Sequence, residues 1–95
     1  MFEYKKNELY CEDLKIADIA KKYGTPLYLY SYKSIKENFS TLKNAFKEIN
    51  PLICFSVKSN SNVNILRELI NLGAGLDIVS GGELFRAGKA GADMN

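Results

Sequence analysis

Histidine and tryptophan are absent from this chain, and proline and cysteine occur only twice each. The lack of histidine removes the commonest metal ligand and the commonest general base, so zinc chemistry and a Ser/His/Asp arrangement are not expected and no metal site is assigned. Cys11 and Cys54 form no CxxC and are too few for a disulfide framework. No apolar run, Leu52 to Phe55 included, exceeds four residues, against the ~20 that cross a bilayer. Met1 to Lys6 also lacks a signal-like apolar segment. The expectation is a cytoplasmic protein that does not enter a membrane. Charge of neither sign dominates: 13 Lys and Arg stand against 11 Asp and Glu, and they are interspersed. Without a basic stripe to neutralise phosphates, nucleic acid is not an expected partner.

What is present is ordinary globular material, 46% hydrophobic and 25% charged over 95 residues, which allows one domain at most. Ile16, Ile19, Ala20 and Tyr23 recur at helical spacing, so a helix is predicted over Glu12 to Tyr23, with Glu12 and Asp13 at its N-terminus and Gly24 as its stop. Leu27 to Tyr30 alternates Leu and Tyr and predicts a short strand. Ser34 and Glu37 form a possible capping box for a helix over about Tyr32 to Glu48, with Ile35, Phe39, Leu42, Phe46 and Ile49 on one face.

From Pro51 onward the pattern becomes strand, turn, helix, twice over. Leu52 to Lys58 reads as a strand and the asparagine-rich Ser59 to Asn62 as a turn. A helix to about Leu72 follows, carrying Val63, Leu66, Leu69 and Ile70 on its apolar face and ending at Gly73. Leu76 to Val79 is a second short strand, and Ser80-Gly81-Gly82-Glu83 a capping box that opens a helix through Ala90. Strands separated by helices of this length pair in parallel with right-handed crossovers. The predicted fold class is therefore α/β: the N-terminal part of a (β/α)8 TIM-type barrel, incomplete in this chain, because eight such units need about 250 residues. The predicted organisation is a single partial domain over 1–95, with an N-terminal helix and strand at about 12–30 and the first barrel units at about 51–95.

In the predicted strand Leu52 to Lys58, the bulky Ile53, Phe55 and Val57 share one face and Leu52, Cys54, Ser56 and Lys58 the other. With the bulky face against outer helices, Lys58 stands at the strand's C-terminal end, where barrel active sites are built. Surrounded by apolar core, its ammonium would be lowered toward neutrality and serve as an amine nucleophile able to form a Schiff base. A lysine ending a strand can equally reach out to solvent. Asp77 lies inside the next strand, where acidic residues are depleted, on the face opposite Leu76 and Ile78, and can approach Lys58. It can equally be a carboxylate satisfied for structural reasons. Gly81-Gly82 reads better as a tight turn with close strand-helix approach than as an anion nest. Gly88 reads as a close-packing position, Tyr28, Tyr30 and Tyr32 as a packing surface, and Cys54 as a small core hydrophobe.

Three blocks occur in order: Tyr23-Gly24-Thr25-Pro26-Leu27-Tyr28-Leu29-Tyr30-Ser31, Phe55-Ser56-Val57-Lys58-Ser59-Asn60-Ser61-Asn62, and Gly75-Leu76-Asp77-Ile78-Val79-Ser80-Gly81-Gly82-Glu83-Leu84. Together they resemble the N-terminal part of the diaminopimelate decarboxylases, within the fold-type III pyridoxal-phosphate-dependent decarboxylases, from about Tyr23 to the last residue. Alanine racemases and ornithine or arginine decarboxylases carry a comparable lysine strand, but the racemase pattern continues with an acidic residue and a Tyr-Gly-His segment, and this chain has no histidine.

The resemblance implies a barrel domain followed by a β-domain, pyridoxal 5'-phosphate as cofactor, Lys58 as the lysine that holds it and Asp77 as a cofactor-site residue on the adjacent strand. The segment Leu27 to Tyr30 would go with the β-domain. It implies conversion of meso-2,6-diaminopimelate to L-lysine and CO2 by the intact protein, an amino-acid substrate and a homodimer. The alternatives are a decarboxylase of another basic amino acid or of a carboxylated polyamine precursor, or a non-catalytic interaction module. Phe-Ser-Val-Lys-Ser stands where Tyr-Ala-Val-Lys-Ala is more usual. The family's glycine-rich phosphate loop, its acid for the pyridine nitrogen and its cross-dimer residues fall further along than these 95 residues. The segment alone is therefore expected to lack decarboxylase activity and not to behave as a well-folded monomer.

Overall fold

A computed structural model describes residues 1–94. Asn95, the last residue of the second predicted strand-helix unit, lies outside the described residues. The chain divides into two compact units, residues 1–37 and 38 onward.

The first unit opens with a structure that the predicted Glu12 to Tyr23 helix does not anticipate. Strands β1 (Phe2–Lys5), β2 (Glu8–Cys11) and β3 (Leu14–Lys15) form an antiparallel sheet in that order. Lys5 pairs with Glu8 across a two-residue loop, Lys6-Asn7, and both loop residues have positive φ, 51° and 66°. Positive φ at both positions is what lets so short a loop follow the right-handed twist of the strands. Glu12 likewise adopts φ 55° in the second loop, so Glu12 and Asp13 lie in a turn and not at a helix N-terminus. Helix α1 covers only Ile16–Tyr23, with Asp18 in its first turn and Lys21 and Lys22 in its last, complementing the helix dipole. Gly24 ends it as expected, at φ 83° with its N–H on the Ala20 carbonyl.

Polar side chains tie this unit together. The Glu12 carboxylate accepts hydrogen bonds from the Ser31 hydroxyl (2.9 Å) and the Lys33 amide (3.3 Å), and these hold its carboxyl below the usual carboxylate range. Lys15 is raised above the ordinary lysine range because its ammonium donates to Glu8 at 2.7 Å. Leu27 to Tyr30 forms no strand. Its period-two alternation survives in burial, Leu27 and Leu29 half-buried and Tyr28 90% exposed. A strand also requires a backbone partner, and no described residue pairs with this segment. Tyr30 and Tyr32 are exposed as well.

Helix α2 (Tyr32–Ala45) contains the boundary between the units. Its cap is Ser31, whose Oγ accepts from the Ser34 amide at 3.1 Å; Ser34, the predicted cap, is already helical. The predicted apolar face is buried only at Phe39, while Leu42, Phe46 and Ile49 are exposed. The helix stops at Ala45, and a short 3-10 turn, Lys47–Ile49, ends at Asn50 in the left-handed region.

The second unit is the predicted α/β pattern. Strand β4 (Cys54–Ser56) pairs in parallel with β5 (Gly75–Asp77), in the register Cys54 to Gly75, Phe55 to Leu76 and Ser56 to Asp77. Helix α3 (Val63–Asn71) connects them and α4 (Gly81–Ala90) follows β5. Val57 and Leu66 are fully buried and, with Ala90, form a cluster against which Phe55, Val63, Ile70, Leu76 and Ile78 pack. Each of the two large side chains contributes about 1.5–3 kcal/mol by burial. The bulky face of β4 thus meets α3 and α4, as the alternation predicts. Cys54, on the other face, is exposed instead of buried. Close approach occurs at Gly75, where a Cβ would stand 2.9 Å from Cys54 Sγ. At Gly81 and Gly88 a Cβ would meet nothing within 4 Å, so close packing does not account for either.

Candidate active site

Because β4 and β5 are parallel, both C-terminal ends open on the same edge, and the residues that end them are neighbours. Ser56 and Asp77 are direct register partners, and the Ser56 hydroxyl donates to Asp77 Oδ2 at 2.9 Å. Lys58 does not continue the strand. β4 stops at Ser56, and Val57–Ser59 form a 3-10 turn. Val57 keeps the core-facing side that the alternation gives it, fully buried in a cluster with Leu66 and Ala90, while Lys58, the next residue of the turn, is exposed. The apolar surroundings expected for Lys58 are not present among the described residues, nor does it form an ion pair with Asp77 among them. Asp77 ends its strand instead of lying in the middle.

The turn that carries Lys58 is held on both sides. Before it, Val57 is fixed by packing, and its carbonyl accepts from the Asn60 amide at 3.1 Å. After it, the side chains of Asn60 and Asn62 accept from the amides of Asn62 and Asn64 at 3.0 and 2.9 Å, and the second of these bonds caps α3. The Asn-rich sequence is therefore a pair of side-chain-to-backbone turns, which Asn favours because its short amide mimics a backbone carbonyl. Arg86 of α4 donates to the Ser61 carbonyl at 3.2 Å and ties the same loop to the next helix.

Of the predicted capping box at the start of α4 the Ser80 half forms, Ser80 Oγ accepting from the Glu83 amide at 3.1 Å, while Glu83 Oε1 accepts from the amide of Val79, one residue before the cap, at 3.1 Å. That leaves the anion-nest reading without support, since one of the free helix donors is already bonded and a carboxylate occupies the turn. Sequence reasoning placed Ser56 on the right face but gave it no role, and did not find Arg86. The signal for Ser56 lay in the parallel register, which puts it opposite Asp77.

Chemically, this edge offers an exposed primary amine on an anchored turn and a carboxylate with one oxygen engaged. Such an amine can condense with a carbonyl, and such a carboxylate can orient or accept a proton. An α/β domain of parallel strands, with its reactive groups gathered at the strands' C-terminal ends, is the class of structure defined here. Within that class, the chain belongs to the pyridoxal-dependent decarboxylases: residues 32–95 match the family's pyridoxal binding domain. Diaminopimelate decarboxylase of Haemophilus influenzae is 46% identical over 99% of this chain, and that of Aquifex aeolicus 48% identical over 94%. The crystal structure of diaminopimelate decarboxylase from M. jannaschii in complex with L-lysine superposes with a TM-score of 0.89 at 35% identity, over 95% of this chain. This chain spans 23%, 21% and 22% of those relatives, respectively. The donor set suits the family's cofactor, since pyridoxal is an aldehyde and the edge presents a free amine to it.

Proposed function

We propose that the full-length protein is a pyridoxal 5'-phosphate-dependent carboxy-lyase that converts meso-2,6-diaminopimelate to L-lysine and CO2, with Lys58 and Asp77 in its cofactor site. The observation that carries this reading is the position of Lys58 on a fixed turn just beyond β4, at the same sheet edge where Asp77 ends β5, in a chain 46% identical to a diaminopimelate decarboxylase over 94 residues. Pyridoxal phosphate, when bound, supplies the electron sink that allows an α-carboxylate to leave as CO2. Lys58 provides the amine that holds the cofactor and a basic nitrogen for proton handling at the substrate's α-carbon. Asp77 supplies a carboxylate at the end of the neighbouring strand. The two strand-helix units are the opening of an eightfold barrel that a β-domain follows, and the protein works as a cytoplasmic homodimer.

The test is Lys58→Ala in the full-length protein, assayed for CO2 release from meso-2,6-diaminopimelate and for the visible absorbance of bound cofactor. Both are expected to disappear together. Retained cofactor absorbance with normal turnover would refute the assignment of Lys58. The wild-type enzyme, offered ornithine, arginine, lysine and a carboxylated polyamine precursor, is expected to prefer diaminopimelate. A preference for one of the others would move the substrate while keeping the reaction.

A further inference from the structure

We infer that Ser56 is a positioning residue, holding the Asp77 carboxylate in one orientation at the end of the parallel pair so that the reaction at Lys58 depends on it. This rests on the roles proposed above for Lys58 and Asp77. Ser56 and Asp77 are register partners, and Oγ to Oδ2 at 2.9 Å is the hydrogen bond that Asp77 makes through its side chain among the described residues. The second torsion of an aspartate is broad, so a strand-end carboxylate with no partner rotates freely. A serine hydroxyl carries a single proton. Committing it to Oδ2 fixes the carboxylate plane and leaves Oδ1 free for whatever Lys58 holds. Ser56 is half-buried while Asp77 is exposed, so the better-anchored partner does the holding. An alanine at this position could not make this bond.

A pair that merely staples the strands would affect stability and leave the chemistry alone, and the test separates the two. In the full-length enzyme, kcat and KM for meso-2,6-diaminopimelate are compared for Ser56→Ala, Ser56→Thr, Asp77→Ala and the Ser56→Ala/Asp77→Ala double variant. Ser56→Ala is expected to lower kcat about threefold to tenfold, the range of one modest hydrogen bond, with KM within about twofold. Threonine, which restores the hydroxyl and suits a strand, should return kcat to within about twofold. Once Asp77 is Ala, which removes the acceptor, Ser56→Ala should cost nothing further, because a residue that acts through another shows full coupling in a double-mutant cycle. An unchanged kcat in Ser56→Ala, the same fold-loss in both backgrounds, or a threonine variant as slow as alanine would each overturn the inference. Lys58→Ala run alongside keeps the levels apart. Turnover that survives Lys58→Ala defeats the proposed function, whereas turnover lost there but normal in Ser56→Ala defeats the role of Ser56 alone.

Discussion

Val57→Ala probes the link between core packing and the presentation of Lys58. Val57 is 0% exposed and packs against Leu66, itself 0% exposed. Removing two buried methyl groups costs about 1.6 kcal/mol in transfer at ~0.8 kcal/mol each. If Leu66 and Ala90 do not collapse into the space, a cavity of about 50 Å3 adds about 1.2 kcal/mol at ~24 cal/mol per Å3. The expected loss is therefore about 1.5 to 3 kcal/mol, which corresponds to roughly 10-fold to 150-fold more frequent opening of the region. The assay is amide hydrogen exchange in the full-length protein, followed at Asn60, whose N–H is bonded to the Val57 carbonyl, and through α3. Cofactor retention is measured on the same sample and should fall although the Lys58 amine is intact. Exchange at Asn60 and α3 within about twofold of wild type would refute the reasoning, since it would mean that the turn is held by its asparagine bonds and not by the core.

Glu12 gives a pH-dependent prediction. Its carboxyl is lowered by the Ser31 hydroxyl and then by the Lys33 amide, so its contribution to the unit of residues 1–37 is present above the unfolded carboxylate pKa and is lost as pH falls through the folded one. Exchange protection in that unit should weaken on acidification through this window, and Glu12→Gln should flatten the dependence; an unchanged profile would count against it. Gly91 ends α4 at φ 99° with open space around the position a Cβ would take. Gly91→Ala should therefore destabilise α4 by about 1 kcal/mol through backbone conformation alone, seen as faster exchange at the helix's C-terminal amides, and exchange equal to wild type would contradict that.

The parts of the fold that were legible in the sequence are those whose cause is local. Ser80 and Glu83 cap α4 as a pair three residues apart, and Gly24, Gly73 and Gly91 each follow a helix at positive φ. The parallel pairing of β4 and β5 followed from helix length between short apolar runs. What was not legible depended on partners distant in sequence. The β1–β2 loop, Lys6-Asn7, contains no glycine, so the hairpin carried no strong turn signal, and the segment Glu12 to Lys15 was read as helix because its pairing with β2 is invisible locally. Leu27 to Tyr30 shows the converse, an alternation without a partner strand among the described residues. At the candidate site, the face shared by Cys54 and Ser56 was readable from parity, but the break at Val57 was not. Val57 is buried on the side that parity predicts, and the turn that ends the strand there is closed by the Asn60 amide on the Val57 carbonyl, a backbone bond with no apolar signature.

Two arginine bonds, one from α3 to α4 and one from α4 to the loop before α3, bear on how this region can be exchanged among relatives. Arg67 of α3 donates to the Lys89 carbonyl near the end of α4, while Arg86 of α4 donates to the Ser61 carbonyl in the lysine loop. Each helix is thus laced to backbone outside itself, and carbonyl acceptors do not depend on which side chains stand at 61 and 89. A graft that carried only residues 57–62 into another scaffold would leave the Ser61 carbonyl without its guanidinium and Val57 without its pocket. The smallest transplantable piece runs from β4 through Gly91, and recombination breakpoints within it should be tolerated far less well than breakpoints at its ends. In chimeras built across this segment, function should track whether position 86 is an arginine, whichever residue stands at 61.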